Sequence, residues 1–305
     1  MAAELAPWQQ RACDQAIEAL EAGRFGHALL ICGPAGLGQR EVAERLVARV
    51  LDPGSGRSGQ LLEAGSHPDF HLVTLLPNRE GTKLRTEIVI DQIRDLSQKL
   101  ALTPQYGDAA VALIDPADVI NRSACNALLK TLEEPVPGRY LWLVSAQPER
   151  LPATIRSRCQ RLEIRMPAHA EALQWLRSQG HDPALAAEAL EAARGHPGLA
   201  DEWLREDGLA LRRAVDGDLK RLERGEAGAV EVAQQWAADD LADARLRHAA
   251  DLVLARASSG GLTDPARLHK LAVWFDAANR TRDLLRTTVR GDLAMVDLLL
   301  AWRAG

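Results

Sequence analysis

The sequence predicts an α/β fold in which a parallel-sheet domain is followed by helices alone. Two observations carry this reading. Short apolar runs alternate with amphipathic stretches as far as residue 165, and beyond Pro167 the strand signals stop while Ala, Leu, Glu and Arg at helical spacing fill the chain. Parallel neighbours cannot be joined by a tight turn, so strands and crossover helices must alternate.

In chain order, Trp8, Ala12, Cys13, Ala16, Ile17 and Leu20 recur at spacings of three and four, an apolar helical stripe that Gly23 ends. HALLIC, 27–32, is a continuous apolar run, the pattern of a strand buried on both faces. A helix is predicted over 39–51, and the Gly- and Ser-rich stretch 52–65 reads as a linker. A strand at 70–75, a helix at 86–102, the strand VALI at 111–114 and a helix at 121–132 continue the cycle. YLWLVS at 140–145 is the next strand, followed by a helical turn at 152–157 and a last strand at 160–164. The helical remainder divides into 168–205, broken by RGHPG at 194–198, and 206–305, which ends on LAMVDLLLAW. No repeat of fixed period is visible.

A length of 305 residues exceeds the usual single domain, so several domains are expected. Lys plus Arg number 37 against 42 Asp plus Glu, a net charge of −5, which argues against an autonomous nucleic-acid binder. With 47% apolar and 26% charged residues the balance is globular. The longest uncharged apolar runs, such as 27–32 and 140–146, fall far short of the roughly 18 residues that span a bilayer, so no membrane partner is expected. The first residues, with Glu4 and no apolar run, do not read as a secretory signal, and a cytoplasmic protein is expected. Cys13, Cys32, Cys125 and Cys159 lack paired spacing, which predicts free, buried thiols and no zinc or other metal site.

GPAGLGQR, 33–40, lies between a predicted strand and a predicted helix, where a phosphate loop belongs. Gly33, Gly36 and Gly38 have the spacing. A working loop then needs Lys for the phosphates and Ser or Thr for Mg²⁺, and here Gln39 and Arg40 stand instead. A retained turn without productive nucleotide binding is one reading, and an atypical ATP-binding loop with Arg40 in place of Lys is the other. The strand that should end in Asp then Glu ends in Asp115 and Pro116, and proline cannot act as a base, while Asp118 points elsewhere. Both halves of a nucleotide site are degraded together. In SRC, 157–159, Arg158 could project towards a neighbouring molecule or be a surface arginine beside Arg156 and Arg161.

Read together, HALLICGPAGLG (27–38), HPD (67–69), NRSACNALLKTLEEP (121–135) and PERLPATIRSRCQ (148–160) closely resemble the clamp-loader branch of the AAA+ family over residues 7 to about 200. The carboxy-terminal hundred residues match only in length and helical character. The resemblance implies a P-loop-type α/β domain at 1–166, a small helical lid at 167–205 and a helical collar for oligomerisation at 206–305. It implies a non-hydrolysing subunit of the DNA polymerase III clamp loader, a holoenzyme component with no catalytic site of its own. Its implied partners are the delta and the gamma or tau subunits, with the sliding clamp and primer-template DNA reached through the assembled complex. By position Arg158 inherits an arginine-finger role in the adjacent subunit's ATP site, an effect of about 10³ to 10⁵ in rate. A pure scaffold and an atypical ATPase are the alternatives. No ATP, Mg or Zn is expected on this chain. The zinc module of many relatives has no counterpart, because no Cys lies between Cys32 and Cys125. At the place of the lid's sensor arginine stands Gly198 or its neighbours, with Arg194 several residues too early. Lys130, Glu133 and Glu134 fall where the family meets a subunit boundary, though a solvated helix face also accounts for them.

Overall fold

The computed structural model describes residues 4–52, 56–78, 80–259, 265–285 and 290–303. The chain forms two compact units, Met1–Asp201 and Glu202–Gly305.

The first unit begins with α1 (Pro7–Glu21), β1 (Ala28–Cys32) and α2 (Gln39–Leu51). It continues through α3 (Arg57–Glu63), β2 (Phe70–Val73), α4 (Ile90–Leu100), β3 (Ala110–Ile114), α5 (Arg122–Glu133) and β4 (Arg139–Ser145). The short α6 (Ala153–Arg156) and β5 (Gln160–Glu163) complete the sheet region. These five strands pair in parallel, in the order β2-β3-β4-β1-β5. Every residue of β1 and β3 is buried, whereas β2 and β5 are exposed in part, as edge strands. This explains why the central strands read as unbroken apolar runs.

Two apolar layers flank the sheet. On one face Trp8, Ala12, Val42 and Leu46 of α1 and α2 pack on Leu29, Ile31, Leu113 and Trp142. On the other, Ile93, Leu96, Leu128 and Leu132 of α4 and α5 pack on Leu30, Ala112, Ile114 and Leu143, with Ile155 of α6. Three helices follow: α7 (His169–Ser178), α8 (Pro183–Ala192) and α9 (Pro197–Arg205). The last crosses the division between the units.

Two sequence expectations need correction. The stretch 52–65, of which 53–55 lie outside the described residues, is not all linker: α3 forms there, tied back by Ser58 Oγ, which donates to the Leu51 carbonyl at 2.8 Å. The helix expected over 86–102 starts only at Ile90, because Ile88 pairs with Ile120 as a parallel bridge and its backbone is committed to that extended segment.

The second unit holds α10 (Gly208–Glu223), α11 (Ala229–Trp236), α12 (Ala242–Ser259), α13 (Pro265–Leu285) and α14 (Gly291–Arg303). Its core is Val215, Leu219, Trp236, Leu246, Val253, Trp274, Met295 and Leu299. Among the described residues no helix is long and apolar enough to cross a membrane. The cysteines are free thiols, three buried and Cys159 half-buried, and burial pushes the Cys159 thiol up to about 11.

Candidate functional site

The loop 33–38 leaves the buried end of β1 and enters α2 through Gly38, whose φ of +89° is left-handed backbone that glycine adopts without penalty. A Cβ there would also collide with the Gln9 side chain. Above the loop is a cavity of about 420 Å³, lined by Gln9, Gly36, Gln39, Arg40, Asp115 and Trp175 among others.

What fills the nucleotide positions is internal to the chain. Gln39, 6% exposed, folds back so that its amide donates to the carbonyls of Gly33 and Pro34, both at 2.6 Å. Arg40 donates from Nη1 to Asp115 Oδ2 at 2.9 Å and from Nε to Glu44 Oε1 at 2.6 Å. Burial works against the Arg40 charge, but the bonds to Glu44 and Asp115 outweigh it and hold the guanidinium above the ordinary arginine range. The carboxylate that the fold would offer a metal thus carries a cation supplied in cis. A second positive charge placed beside that guanidinium would be repelled by it. Asp118 turns to the end of β4, where it accepts from Ser145 Oγ, from Ala146 N at 2.9 Å and from Gln147 N at 3.2 Å. These residues do not fit Mg·ATP: the metal carboxylate is paired, the ammonium is absent and the next carboxylate is capped.

Neighbouring elements also press on the loop. Trp8 Nε1 and Gln9 Nε2 both donate to the Leu37 carbonyl at 3.0 Å. Trp8 meets Trp175 of α7 edge-on, with centroids 5.1 Å apart, and Arg11 grips Glu171 through both carboxylate oxygens at 2.5 and 2.9 Å. At the start of α9 Gly198 sits so close to the Gly36 carbonyl that any Cβ would clash. Arg194 lies at the end of α8 in left-handed backbone with φ +55°.

The HPD segment is a brace. Asp69 N donates to His67 Nδ1 at 3.1 Å, which leaves Nε2 as the donor towards Ser58 Oγ at 2.7 Å, while the Ser58 hydroxyl donates in turn to the Leu51 carbonyl. Burial holds His67 below its usual pKa, against the pull of Asp69 and Asp52, in agreement with that neutral tautomer. The Asp69 carboxylate accepts from Gln105 N and Tyr106 N at 2.8 and 2.7 Å, tying the 101–108 loop to β2.

Arg158 is exposed, just past α6, which Ile155 anchors in the core. Its Nη1 donates to the Thr154 carbonyl at 2.9 Å and its Nη2 lies 2.7 Å from Glu133 Oε1 at the end of α5. Lys130 and Glu134 line a different cavity of about 330 Å³ with His27, Leu100, Val136 and Arg139. Sequence spacing singled out Gln39, Arg40, Asp115 and Arg158, but neither the Arg40–Asp115 pair, 75 positions apart, nor the Arg158–Glu133 pair has a signal along the chain. Trp8 and Gln9 were legible only as helix residues.

Residues 8–168 match the family described as DNA polymerase III, delta subunit. The chain is 37% identical over 247 residues to DNA polymerase III subunit delta' of Pseudomonas aeruginosa, covering 77% of this chain and 72% of the relative. It is 32% identical over 326 residues to DNA polymerase III subunit delta' of Escherichia coli, covering 96% and 94%. It is also 32% identical over 150 residues to DNA polymerase III subunit tau of Escherichia coli, covering 48% of this chain and 23% of that protein.

Proposed function

The chain belongs to the family of DNA polymerase III delta' subunits, and from that membership we propose that it serves the clamp loader without hydrolysing ATP itself, lending Arg158 to the ATP site of an adjacent gamma or tau subunit. Delta, the sliding clamp and primed DNA are its further proposed partners through the complex, and the cytoplasm its proposed place.

The Arg40–Asp115 ion pair carries this reading. A phosphoryl-transfer site works by neutralising charge on phosphate oxygens and by holding Mg²⁺ against a strand-end carboxylate. Here that carboxylate is already neutralised, and the amide at the lysine position is used up on the loop's own carbonyls. The exposed Arg158 of SRC then has its chemistry in a neighbour's site. In the neighbour's site water bonds to the γ-phosphorus as the bond to the β,γ-bridging oxygen breaks, giving ADP, inorganic phosphate and a proton released to solvent. A guanidinium offers planar, permanently charged donors to the oxygens on which charge builds up, which alanine cannot.

Two measurements test this. Equilibrium dialysis of the purified chain should detect no tight Mg·ATP binding, and Gln39→Lys should restore no turnover because Arg40 still covers Asp115. Micromolar affinity with hydrolysis by the wild type would favour the atypical-ATPase reading. In the reconstituted complex Arg158→Ala should assemble normally yet lower clamp- and DNA-stimulated hydrolysis in part, since one of several ATP sites is affected. Unchanged hydrolysis and clamp loading would leave the subunit a scaffold.

A further inference from the structure

We propose that Glu133 is a positioning residue for Arg158, holding the guanidinium in the attitude from which it reaches a neighbour's phosphates; this rests on the trans-acting role proposed above for Arg158. Two anchors fix the head group from the chain's own side, the Thr154 carbonyl on Nη1 at 2.9 Å and the Glu133 carboxylate beside Nη2 at 2.7 Å. The guanidinium has further N–H donors beyond these two contacts, so anchoring leaves capacity for an incoming anion.

Among the described residues the ion pair of Glu133 is the one with Arg158. It is the last residue of α5, where an acidic side chain opposes the helix dipole. It is exposed, so it packs no core, and the α5 amino-terminal cap is made by Asn121 at the opposite end. What it does contact is Arg158. Glu134, next in sequence, lines the separate cavity with Lys130.

The benefit is preorganisation. An unanchored arginine on the surface explores many rotamers and must be immobilised as the transition state forms, whereas an anchored one has lost that freedom beforehand. Both anchors belong to helices packed on the core: Thr154 lies in α6, held by buried Ile155, and Glu133 ends α5 next to buried Leu132. The ion pair is solvent-exposed, with 36% of the Arg158 side chain and 48% of Glu133 accessible, so its contribution is that of a surface pair and is screened by salt.

The test uses a reconstituted clamp loader in which the other ATP sites are disabled at their phosphate-loop lysines, leaving only the site adjacent to this subunit. Glu133→Ala should lower kcat at that site by roughly two- to fivefold, the range open to an exposed charge pair, without raising KM for ATP. Glu133→Asp, which keeps the charge, should restore most of the loss. In the double variant Glu133→Ala with Arg158→Ala, the rate should be no lower than in Arg158→Ala alone, because Glu133 acts through Arg158. Sizing chromatography checks that each variant assembles. If Arg158→Ala is slow while Glu133→Ala matches wild type or exceeds it, the positioning role is wrong and the finger stands. An additive double variant also overturns the proposal, by showing that Glu133 acts through something else. If Arg158→Ala itself changes nothing, the trans-acting role fails and this inference with it.

Discussion

At Gly198 a single hydrogen atom separates the first turn of α9 from the Gly36 carbonyl, and the contact leaves no room for a methyl group. Gly198→Ala must therefore push the helix off the loop, at an expected cost of about 1–3 kcal/mol typical of overpacking. Gly217, inside α10 with nothing near its missing Cβ, provides the contrast. Gly217→Ala should gain about 0.5–1 kcal/mol from helix propensity alone. Denaturant midpoints of the two variants should move in opposite directions, and a Gly198→Ala protein as stable as wild type would show that the loop and α9 yield freely. Arg40 makes a similar point about side chains. Its meaning is set by Asp115 and Glu44 and not by the motif in which it stands.

The first helix illustrates how an element acquires a task from its surroundings. The residue before α1 is Ala6, whose side chain cannot cap; Gln9 compensates by accepting from Ala6 N at 2.8 Å while donating to Leu37. Gln9→Ala removes both bonds and should cost on the order of 1 kcal/mol, read as a lower urea midpoint with unchanged slope. A larger loss with a changed slope would mean that the loop collapses with it. Strands β1, β3 and β4 were legible because a central parallel strand needs apolar residues on both faces, and α1, α2 and α5 because their stripes repeat at helical spacing. The helix α3 was not legible. Its support is the hydrogen-bonded chain from Leu51 through Ser58 to His67, which no composition of a Gly- and Ser-rich stretch announces. Likewise Ile88 falls inside the helix expected over 86–102, but its pairing with Ile120 lies in the tertiary fold. The site followed the same rule: motifs located Gln39, Arg40, Asp115 and Arg158, and only folding revealed which of them are paired.

At the scale of the whole chain the two units lead to different expectations, and that for the second concerns pH. In the second, His248 is 1% exposed, meets Trp203 edge-on with centroids 4.9 Å apart, and is pushed down to about 4 by burial first and then by Arg247 and Arg212. Its folded form is therefore the neutral one. Because the unfolded chain takes up the proton near pH 6.5, the stability due to neutral His248 is complete above that pH and is lost as pH falls towards 4. The wild type should lose roughly 2–3 kcal/mol across this window beyond what a His248→Phe variant loses, measured by denaturant titration at pH 7 and pH 4.5. Parallel pH curves for the two proteins would contradict this. In the first unit the bond between Arg40 and Asp115 has a consequence of another kind. A metal ion at that carboxylate would come and go with its concentration in the medium. A counterion carried on the same polypeptide is always present at its site, at an effective concentration fixed by the fold, so neither dilution nor a chelator such as EDTA can strip it away.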